Sequence, residues 1–211
     1  MTMDRDAKGR DYWDRHAKNY DRSMAILGGP IPRMVAFAAE AVRGSARVLE
    51  VAAGTGLVTT SLARSAGEVI ATDYARAMVA ALESRVKGEG LTNVRCEQAD
   101  VYALRLEPAS FDAVVAANVL HLVPDLDGAL AALVRMLKPG GRLVVPTYCH
   151  DETPLSWLVS RLLAITGFPG HRRFTMQRLR AALEASGVHV TRAETLRGVI
   201  PIGYIEGIVP S

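Results

Sequence analysis

Val48-Leu49-Glu50-Val51-Ala52-Ala53-Gly54-Thr55-Gly56 is the stretch that decides the fold of this chain. Its apolar first half predicts a buried β-strand, and Gly54 and Gly56 let the backbone turn tightly and approach a ligand without a Cβ in the way. A second apolar run over residues 68–72 ends in Asp73, whose carboxylate can accept hydrogen bonds from both hydroxyls of a ribose. Together these segments predict a nucleotide-type ligand at the carboxyl ends of two strands.

Glu50 and the residues after the glycines narrow the identity of that ligand. A dinucleotide-binding turn needs a third small residue to bring helix and strand together under a pyrophosphate, but Leu57, Val58 and Thr59 follow here. A carboxylate at the turn would repel phosphate and would suit the ammonium of an amino-acid ligand. S-adenosylmethionine has that ammonium, a ribose and no phosphate, so we expect it as the cofactor.

Five blocks, in order along the chain, resemble motifs of the class I S-adenosylmethionine-dependent methyltransferases. Residues 50–56 resemble motif I of that family, and Asp73 resembles its ribose-binding acid. The segment 96–101 resembles the family's adenine-binding segment, and 111–121 resembles its fourth strand, which ends beside the transferable methyl group. Residues 137–145 resemble the turn into its fifth strand. The resemblance covers roughly residues 12 to 148.

Two features point to one branch of this family. Ala52 stands where many relatives carry the first glycine of motif I, and we expect its single methyl group to be tolerated. The N-terminal segment from Tyr12 to Asp21 has the pattern of a helix that folds over the cofactor in similar enzymes. Both features resemble the ubiquinone and menaquinone biosynthesis methyltransferases and the bacterial phospholipid N-methyltransferases.

The alternation of strand and helix patterns predicts an α/β fold in a single domain over residues 1–211. We expect a Rossmann-like, doubly wound, seven-stranded and mostly parallel sheet with a C-terminal antiparallel hairpin. Predicted strands include 94–97, 142–147, 188–194 and 199–209, and predicted helices include 34–42, 58–66, 75–87, 127–137, 154–165 and 176–186. Two additions are expected, an N-terminal lid over residues 1–30 and a cap insertion after strand five over residues 149–174.

The cap insertion contains an apolar helix, 154–165, and the basic cluster His171-Arg172-Arg173. Trp157, Leu158, Leu162 and Leu163 favour an ordinary core stripe over a lipid-facing surface, and the two arginines are expected in solvent. An insertion at this position should lie over the methyl acceptor. If the acceptor is anionic or lies at a membrane surface, the apolar helix and basic pair would suit it.

The resemblance and the turn together assign the site residues. Cofactor contacts are expected from Tyr20, Glu50, Ala52, Gly54, Thr55, Gly56, Asp73, Tyr74, Met78, Asp100, Val101 and Asn118. Acceptor contacts are expected from Tyr12, Tyr148, His150 and Trp157. His121, just beyond the fourth predicted strand, is the candidate for proton transfer, against the alternative of an ordinary packing histidine. A general base can also be absent, because the sulfonium is already an activated methyl donor.

Composition bounds the remaining possibilities. A net charge of +3 is too small and too scattered to indicate nucleic-acid binding. Cys96 and Cys149 have no metal-ligand spacing, so no metal is expected. The N-terminus resembles no signal segment, and no apolar run approaches the roughly 18 residues of a transmembrane helix. The expectation is a cytoplasmic protein with, at most, peripheral membrane contact.

The sequence therefore predicts a methyltransferase acting on a small-molecule or lipid-like acceptor. After the fourth strand it has Asn118-Val119-Leu120-His121 in place of an Asn-Pro-Pro-Tyr-like tetrapeptide, which disfavours the planar amines of nucleic acids or glutamine. A phospholipid N-methyltransferase at the membrane surface is the alternative within the family. A non-catalytic nucleotide-binding module and a nucleotide-dependent oxidoreductase are the alternatives of other classes.

Overall fold

The computed structural model describes residues 7–17, 29–165 and 170–210, which form one sheet flanked by helices. Its seven strands lie in the order β3-β2-β1-β4-β5-β7-β6. Their bounds are β1 Arg47–Val51, β2 Glu68–Asp73, β3 Val94–Gln98, β4 Phe111–Ala116, β5 Leu137–Tyr148, β6 His189–Leu196 and β7 Ile202–Ile208. Strand β7 runs antiparallel to both of its neighbours, and the other pairs are parallel. The predicted fold class is confirmed.

Seven α-helices are present in the described part of the chain. They are α1 Ala7–His16, α2 Ile31–Ala41, α3 Thr59–Ala63, α4 Arg76–Gly88, α5 Leu126–Met136, α6 Pro154–Ile165 and α7 Met176–Ala185. Side chains cap three of them at the N-terminus. The Asp125 carboxylate accepts from the Gly128 N–H at 3.0 Å, the Thr153 hydroxyl from the Ser156 N–H at 3.1 Å, and the Thr175 hydroxyl from the Arg178 N–H at 3.3 Å.

The core consists of two apolar layers, one on each face of the sheet. Successive residues of a strand point to opposite faces, so Leu49 and Val51 of β1 pack in one layer and Val48 packs in the other. Helices α5 and α7 cover the first layer, and α2, α3 and α4 cover the second. Because both faces are buried, the inner parallel strands β1, β2 and β4 are mostly apolar, which explains the apolar runs in the sequence, whereas the edge strand β3 has no buried position.

The Lys138–Gly141 segment differs from its prediction. The sequence predicted a turn before the fifth strand, but β5 already begins at Leu137, which pairs with Phe111 of β4. The register of the two strands then shifts between Phe111 and Ala113, and Gly140 adopts a positive φ of 74°. The glycines thus form an irregularity within a longer strand, because backbone pairing continues on both sides of them.

The cap helix α6 has its predicted bounds, but the predicted core stripe on it is wrong. Trp157, Leu158 and Leu162 are 45%, 51% and 58% exposed. The side that faces the protein carries Ser156 and Ser160, both buried. Among the described residues, no helix has the length and apolar character that crossing a membrane would require.

Candidate functional site

One cavity opens at the carboxyl ends of β1, β2 and β4. It measures about 1000 Å³ when its open mouth is included. Ten residues that the sequence assigned to the site line it: Ala52, Gly54, Asp73, Tyr74, Met78, Asp100, Val101, Asn118, His121 and Tyr148. The position agrees with the rule that open α/β sheets bind ligands beyond the carboxyl ends of their strands.

The glycine turn after β1 forms one wall of the cavity. Gly56 has a φ of 87°, which is strained for any residue with a side chain, and a Cβ there would lie 2.7 Å from Cδ1 of Leu82 on α4, so that the Leu82 side chain would have to move. Ala52 also adopts a positive φ, 51°, although it carries a Cβ. The expectation that Ala52 only adds a tolerated methyl group is therefore incomplete, because this backbone conformation is strained for any L residue.

Asp73 is held rigidly at the end of β2. Its Oδ2 accepts from the Gly54 N–H and its Oδ1 from the Ala75 N–H, both at 2.9 Å. A carboxylate has about four lone-pair sites, so two remain for further donors such as ribose hydroxyls. Burial raises the pKa of Asp73 to about 6, although the backbone N–H bonds oppose the shift.

The next part of the wall follows β3. The Asp100 Oδ1 accepts from the Tyr102 N–H at 3.0 Å and so caps a short 3₁₀ helix over Val101–Ala103. The Tyr102 hydroxyl lies 2.9 Å from both the backbone N and the backbone O of Asp125, which fixes this segment against the start of α5. The capping and ligand-binding roles of Asp100 are compatible, because only one carboxylate oxygen makes the cap.

Asn118 connects the two halves of the cavity. It follows β4 with a positive φ of 53°, and its N–H donates to the Pro146 carbonyl at 2.7 Å. Its Nδ2 contacts the sulfur of Met34 at 3.6 Å, whereas its buried Oδ1 has no hydrogen-bond partner. An amide oxygen left in this state can accept from a donor on a bound ligand.

Three rings meet at the other end of the cavity. The ring centroid of His121 lies 5.9 Å from that of Tyr148 and 5.2 Å from that of His150. Burial lowers the pKa of His121 well below its ordinary value and, with the nearby Arg173, lowers that of His150 to about 4. Burial raises the pKa of Tyr148 to about 12. Both imidazoles are therefore neutral near pH 7, and of the two only His121 lines the cavity, where it can meet a ligand.

Glu50 lies beneath the glycine turn, where it is 1% exposed and is not part of the cavity wall. Its Oε2 is buried without a hydrogen-bond partner. Burial, with a smaller contribution from the charge of Asp73, raises the pKa of Glu50 to about 8, and the Thr59 hydroxyl opposes the shift. Contact with the ammonium of a ligand stays a prediction. Thr55 and Gly56 also lie behind the wall and shape the turn.

The acceptor-side assignments need corrections. Trp157 lies on the exposed side of α6 and Tyr12 stacks on His16 with ring centroids 4.0 Å apart, so neither side chain lines the cavity. His150 stands behind His121, with its Nδ1 hydrogen-bonded to the Ser160 hydroxyl. Tyr20 lies outside the described residues.

Several wall residues were missed by the sequence analysis: Trp13, Tyr102, Leu122, Val123 and Pro124. Trp13 packs beside Ala17, Ala75 and Met78, which attaches α1 to the start of α4. Spacing along α1 was the available signal, because Trp13 and Ala17 are four residues apart on one helix face. The apolar run after His121 was the signal for the others.

The donors and acceptors around the cavity fit S-adenosylmethionine. Asp73 can accept from the ribose hydroxyls, and Asp100 with the Val101 backbone can meet the adenine edge. The buried, unpartnered oxygen of Glu50 suits a cationic group at the turn. The described residues hold no group of three or more His, Cys, Asp or Glu side chains that could bind a metal ion.

Comparison with known proteins agrees with this site. Residues 49–145 match the model of the family described as Methyltransferase domain. The chain is 35% identical over 146 residues to the ubiquinone/menaquinone biosynthesis C-methyltransferase UbiE of Teredinibacter turnerae, covering 66% of this chain and 59% of that protein. It is 34% identical over 152 residues to the demethylmenaquinone methyltransferase of Clavibacter sepedonicus, covering 71% of this chain and 60% of that protein. The chain thus spans about three fifths of these relatives.

Among solved structures, the fold is similar to Haemonchus contortus phosphoethanolamine N-methyltransferase 2 in complex with S-adenosyl-L-methionine. The TM-score is 0.79 at 16% identity, and the match covers 97% of this chain and 60% of that one. At that identity the likeness concerns the fold alone. The motifs, the family match and the curated relatives together show that the chain belongs to the class I S-adenosylmethionine-dependent methyltransferases, with S-adenosylmethionine as the cofactor and with its sequence similarity toward the ubiquinone/menaquinone branch.

Proposed function

We propose that this protein transfers a methyl group from S-adenosylmethionine to a ring carbon of a hydroquinone-type aromatic acceptor. One observation carries the choice of acceptor: the cavity wall, so far as the structure describes it, contains no lysine or arginine. An acceptor with a phosphate headgroup would need a cationic partner there. A neutral aromatic ring with hydroxyl groups suits a wall of apolar side chains, neutral imidazole and tyrosine. Both relatives described above are named for methylation in quinone biosynthesis, which agrees with this acceptor class.

Bound S-adenosylmethionine supplies a methyl group already activated by its sulfonium. The protein then has to align the acceptor, exclude water and receive a proton. His121 is neutral and buried at the acceptor end of the cavity, so it can accept the proton of an acceptor hydroxyl. Removing that proton raises the electron density at the neighbouring ring carbons, so that one of them can bond to the methyl group while the methyl–sulfur bond of the donor breaks and S-adenosylhomocysteine is left. The hydrogen on that ring carbon then moves to the phenolate oxygen, which restores the aromatic ring and leaves one proton on His121. Asn118 can position the acceptor through its free Oδ1.

The test is methyl transfer measured by mass spectrometry with S-adenosylmethionine and hydroquinones that carry a short isoprenoid chain. We expect a product 14 mass units heavier with the new methyl group on carbon. Phosphoethanolamine and phosphatidylethanolamine are the comparison acceptors. Methylation of these amines in preference to the hydroquinones would contradict the proposal.

His121→Gln tests the proton-transfer role separately. Because general acid–base catalysis contributes roughly 100- to 10,000-fold, we expect kcat to fall at least 100-fold while affinity for S-adenosylhomocysteine changes little. A matched Leu122→Ala variant, at the neighbouring wall position, should mainly raise KM for the acceptor. An unchanged kcat in His121→Gln would leave His121 with a packing role only.

The alternatives predicted from sequence have less support. The relatives reported above carry no phospholipid in their names, and the cavity wall has no described cation for a headgroup. A non-catalytic module would have no need for two neutral imidazoles at the acceptor end. Titration calorimetry with S-adenosylhomocysteine and with NAD distinguishes a methyltransferase from a nucleotide-dependent oxidoreductase, because the oxidoreductase alternative requires NAD to bind.

A further inference from the structure

Helix α6 presents apolar side chains to solvent and polar ones to the protein. Leu155, Leu158 and Leu162, at spacings of three and four residues, form one stripe and are 51–58% exposed. Ser156 and Ser160, on the opposite side, are 0% and 5% exposed. An ordinary surface helix has the reverse arrangement, with its apolar stripe against the core. This side of α6 is therefore suited to an apolar environment outside the chain.

The chemistry at the edge of the leucine stripe is that of a lipid–water interface. Trp157 is 45% exposed, and the Arg161 guanidinium lies over its ring at 4.8 Å from the ring centroid. Tryptophan is enriched at the level of lipid headgroups, and arginine extends its charge from an apolar stem into that layer. Four of the five exposed large hydrophobic side chains in the described part of the chain belong to α6, and the fifth is Val199.

The charge around α6 has one sign. From Thr153 to Met176 the sequence contains three arginines and no acidic residue. Two half-buried acids, Asp151 and Glu152, precede this segment, and the Glu152 Oε2 accepts from the Met176 N–H at 2.7 Å. Arg172 is likewise engaged, since its guanidinium donates to the Val123 and Pro124 carbonyls, so Arg161 is the positive charge that α6 itself carries beside the stripe. A basic, apolar surface is complementary to a bilayer that contains anionic lipid.

We propose that α6 docks this protein on an anionic bilayer surface, with Leu155, Leu158 and Leu162 at the boundary between headgroups and acyl chains. A second copy of the chain fits the patch less well, because four apolar side chains are few compared with the roughly 20–30 residues that each partner contributes to a stable interface. On its inner side, α6 contacts the acceptor end of the cavity, since Ser160 bonds to His150, whose ring centroid lies 5.2 Å from that of His121. The docking goes beyond the proposed function and does not depend on the acceptor.

Co-sedimentation of the full chain with phosphatidylcholine vesicles, with and without phosphatidylglycerol, tests this docking. We expect binding to the mixed vesicles that weakens as salt increases. The double variant Leu158→Ser/Leu162→Ser should bind them at least roughly tenfold more weakly, because two apolar side chains no longer enter the bilayer. Arg161→Gln should reduce binding about fivefold, and only when phosphatidylglycerol is present.

Val199→Ser is the matched control, because it removes an exposed apolar side chain, 48% exposed, outside α6. It should leave vesicle binding unchanged, and melting curves should show that every variant is folded. The proposal is overturned if the wild-type chain fails to bind the mixed vesicles, or if the double variant binds them as well as the wild type. It is also overturned if light scattering shows a dimer that the double variant converts to monomer, since a second copy would then cover the helix. Acceptor methylation in detergent is a separate readout, so failure to dock leaves the proposed function intact.

Discussion

Replacing Glu50 with glutamine should make the ligand-free protein more stable at alkaline pH. The side chain is fully enclosed, and burial raises its pKa from an ordinary 4.5 to about 8. The folded protein thus keeps a proton on Glu50 up to about pH 8, whereas the unfolded chain releases it above 4.5. Between these two values the unfolded state binds fewer protons, so the stability of the wild-type protein falls as pH rises. Glutamine has nearly the same shape and does not ionise.

The expected size follows from the two pKa values. Each pH unit in this window lowers the stability of the wild type relative to Glu50→Gln by about 1.4 kcal/mol. From pH 6 to pH 8 the difference grows by about 2.3 kcal/mol, because Glu50 of the folded protein is half ionised at pH 8. This corresponds to a widening of the gap in Tm by roughly 5–9 °C for a chain of this size. Asp73, whose pKa is about 6, titrates inside this window, but it is present in both proteins, so its own contribution is common to the two curves. The wild type and Glu50→Gln both contain His121 and His150, so the lowered pKa values of these histidines affect the two pH curves alike.

Thermal melting of both proteins from pH 5 to pH 9, without ligand, gives the measurement. Glu107→Gln is the control, because that glutamate is exposed and its substitution should leave the pH dependence unchanged. If the curves of wild type and Glu50→Gln run parallel, the folded protein does not hold a proton on Glu50 and the argument from burial fails. Affinity for S-adenosylhomocysteine, measured in parallel, shows whether Glu50 also binds the ammonium: weakening of at least tenfold supports that contact, and unchanged affinity removes it.

Three further predictions concern the cofactor half of the cavity. Asp73→Ala should weaken S-adenosylhomocysteine at least 100-fold in titration calorimetry, because each charge-assisted hydrogen bond contributes about 1.5–3 kcal/mol; an unchanged Kd would remove Asp73 from the ribose site. Asp14→Ala should increase hydrogen exchange in α1 and weaken the ligand several-fold, because the Asp14 carboxylate accepts from the Ala77 N–H at 2.8 Å; equal protection in both proteins would mean that this bond does not hold the helix. Ala52→Gly should raise Tm by a few degrees, because relief of a strain of about 1–2 kcal/mol exceeds the entropy cost of glycine, about 0.5–1 kcal/mol; a lower Tm would show that the methyl group packs favourably.

The sequence predicted the cofactor half of the site better than the acceptor half. The site residues between Gly54 and Val101 lie in a glycine turn or just after apolar strands. The geometry of such a turn is determined by residues that are close together in the sequence, so it could be predicted. Asp73 and Asp100 could be assigned because each directly follows a strand whose end was predictable. The position of Glu50 was different, because periodicity places it on the strand but does not distinguish a cavity wall from the buried space beneath the turn.

Helix α6 illustrates the limit on the acceptor side. Its length and bounds were predictable from an apolar run that starts at Pro154. Which side faces the protein was not predictable, because an apolar stripe is normally buried and here Ser160 faces inward to bond with His150. Trp13 was missed for a related reason: its spacing from Ala17 indicates a helix face, but the contact of that face with α4 joins segments more than sixty residues apart, which no local pattern indicates.

The strand order has a consequence for how this protein can change. From β1 the chain adds β2 and then β3 on one side of the sheet. From β4, which lies beside β1, it adds β5 and β7 on the other side. The described cofactor-side wall residues up to Tyr102 therefore precede those from Ala117 onward, on the acceptor side, with one connection between the two sets. The acceptor-side half can be exchanged with that of a homologue by a single junction in the loop before Phe111. Substrate range can then diversify by recombination, while the donor-binding half is inherited unchanged.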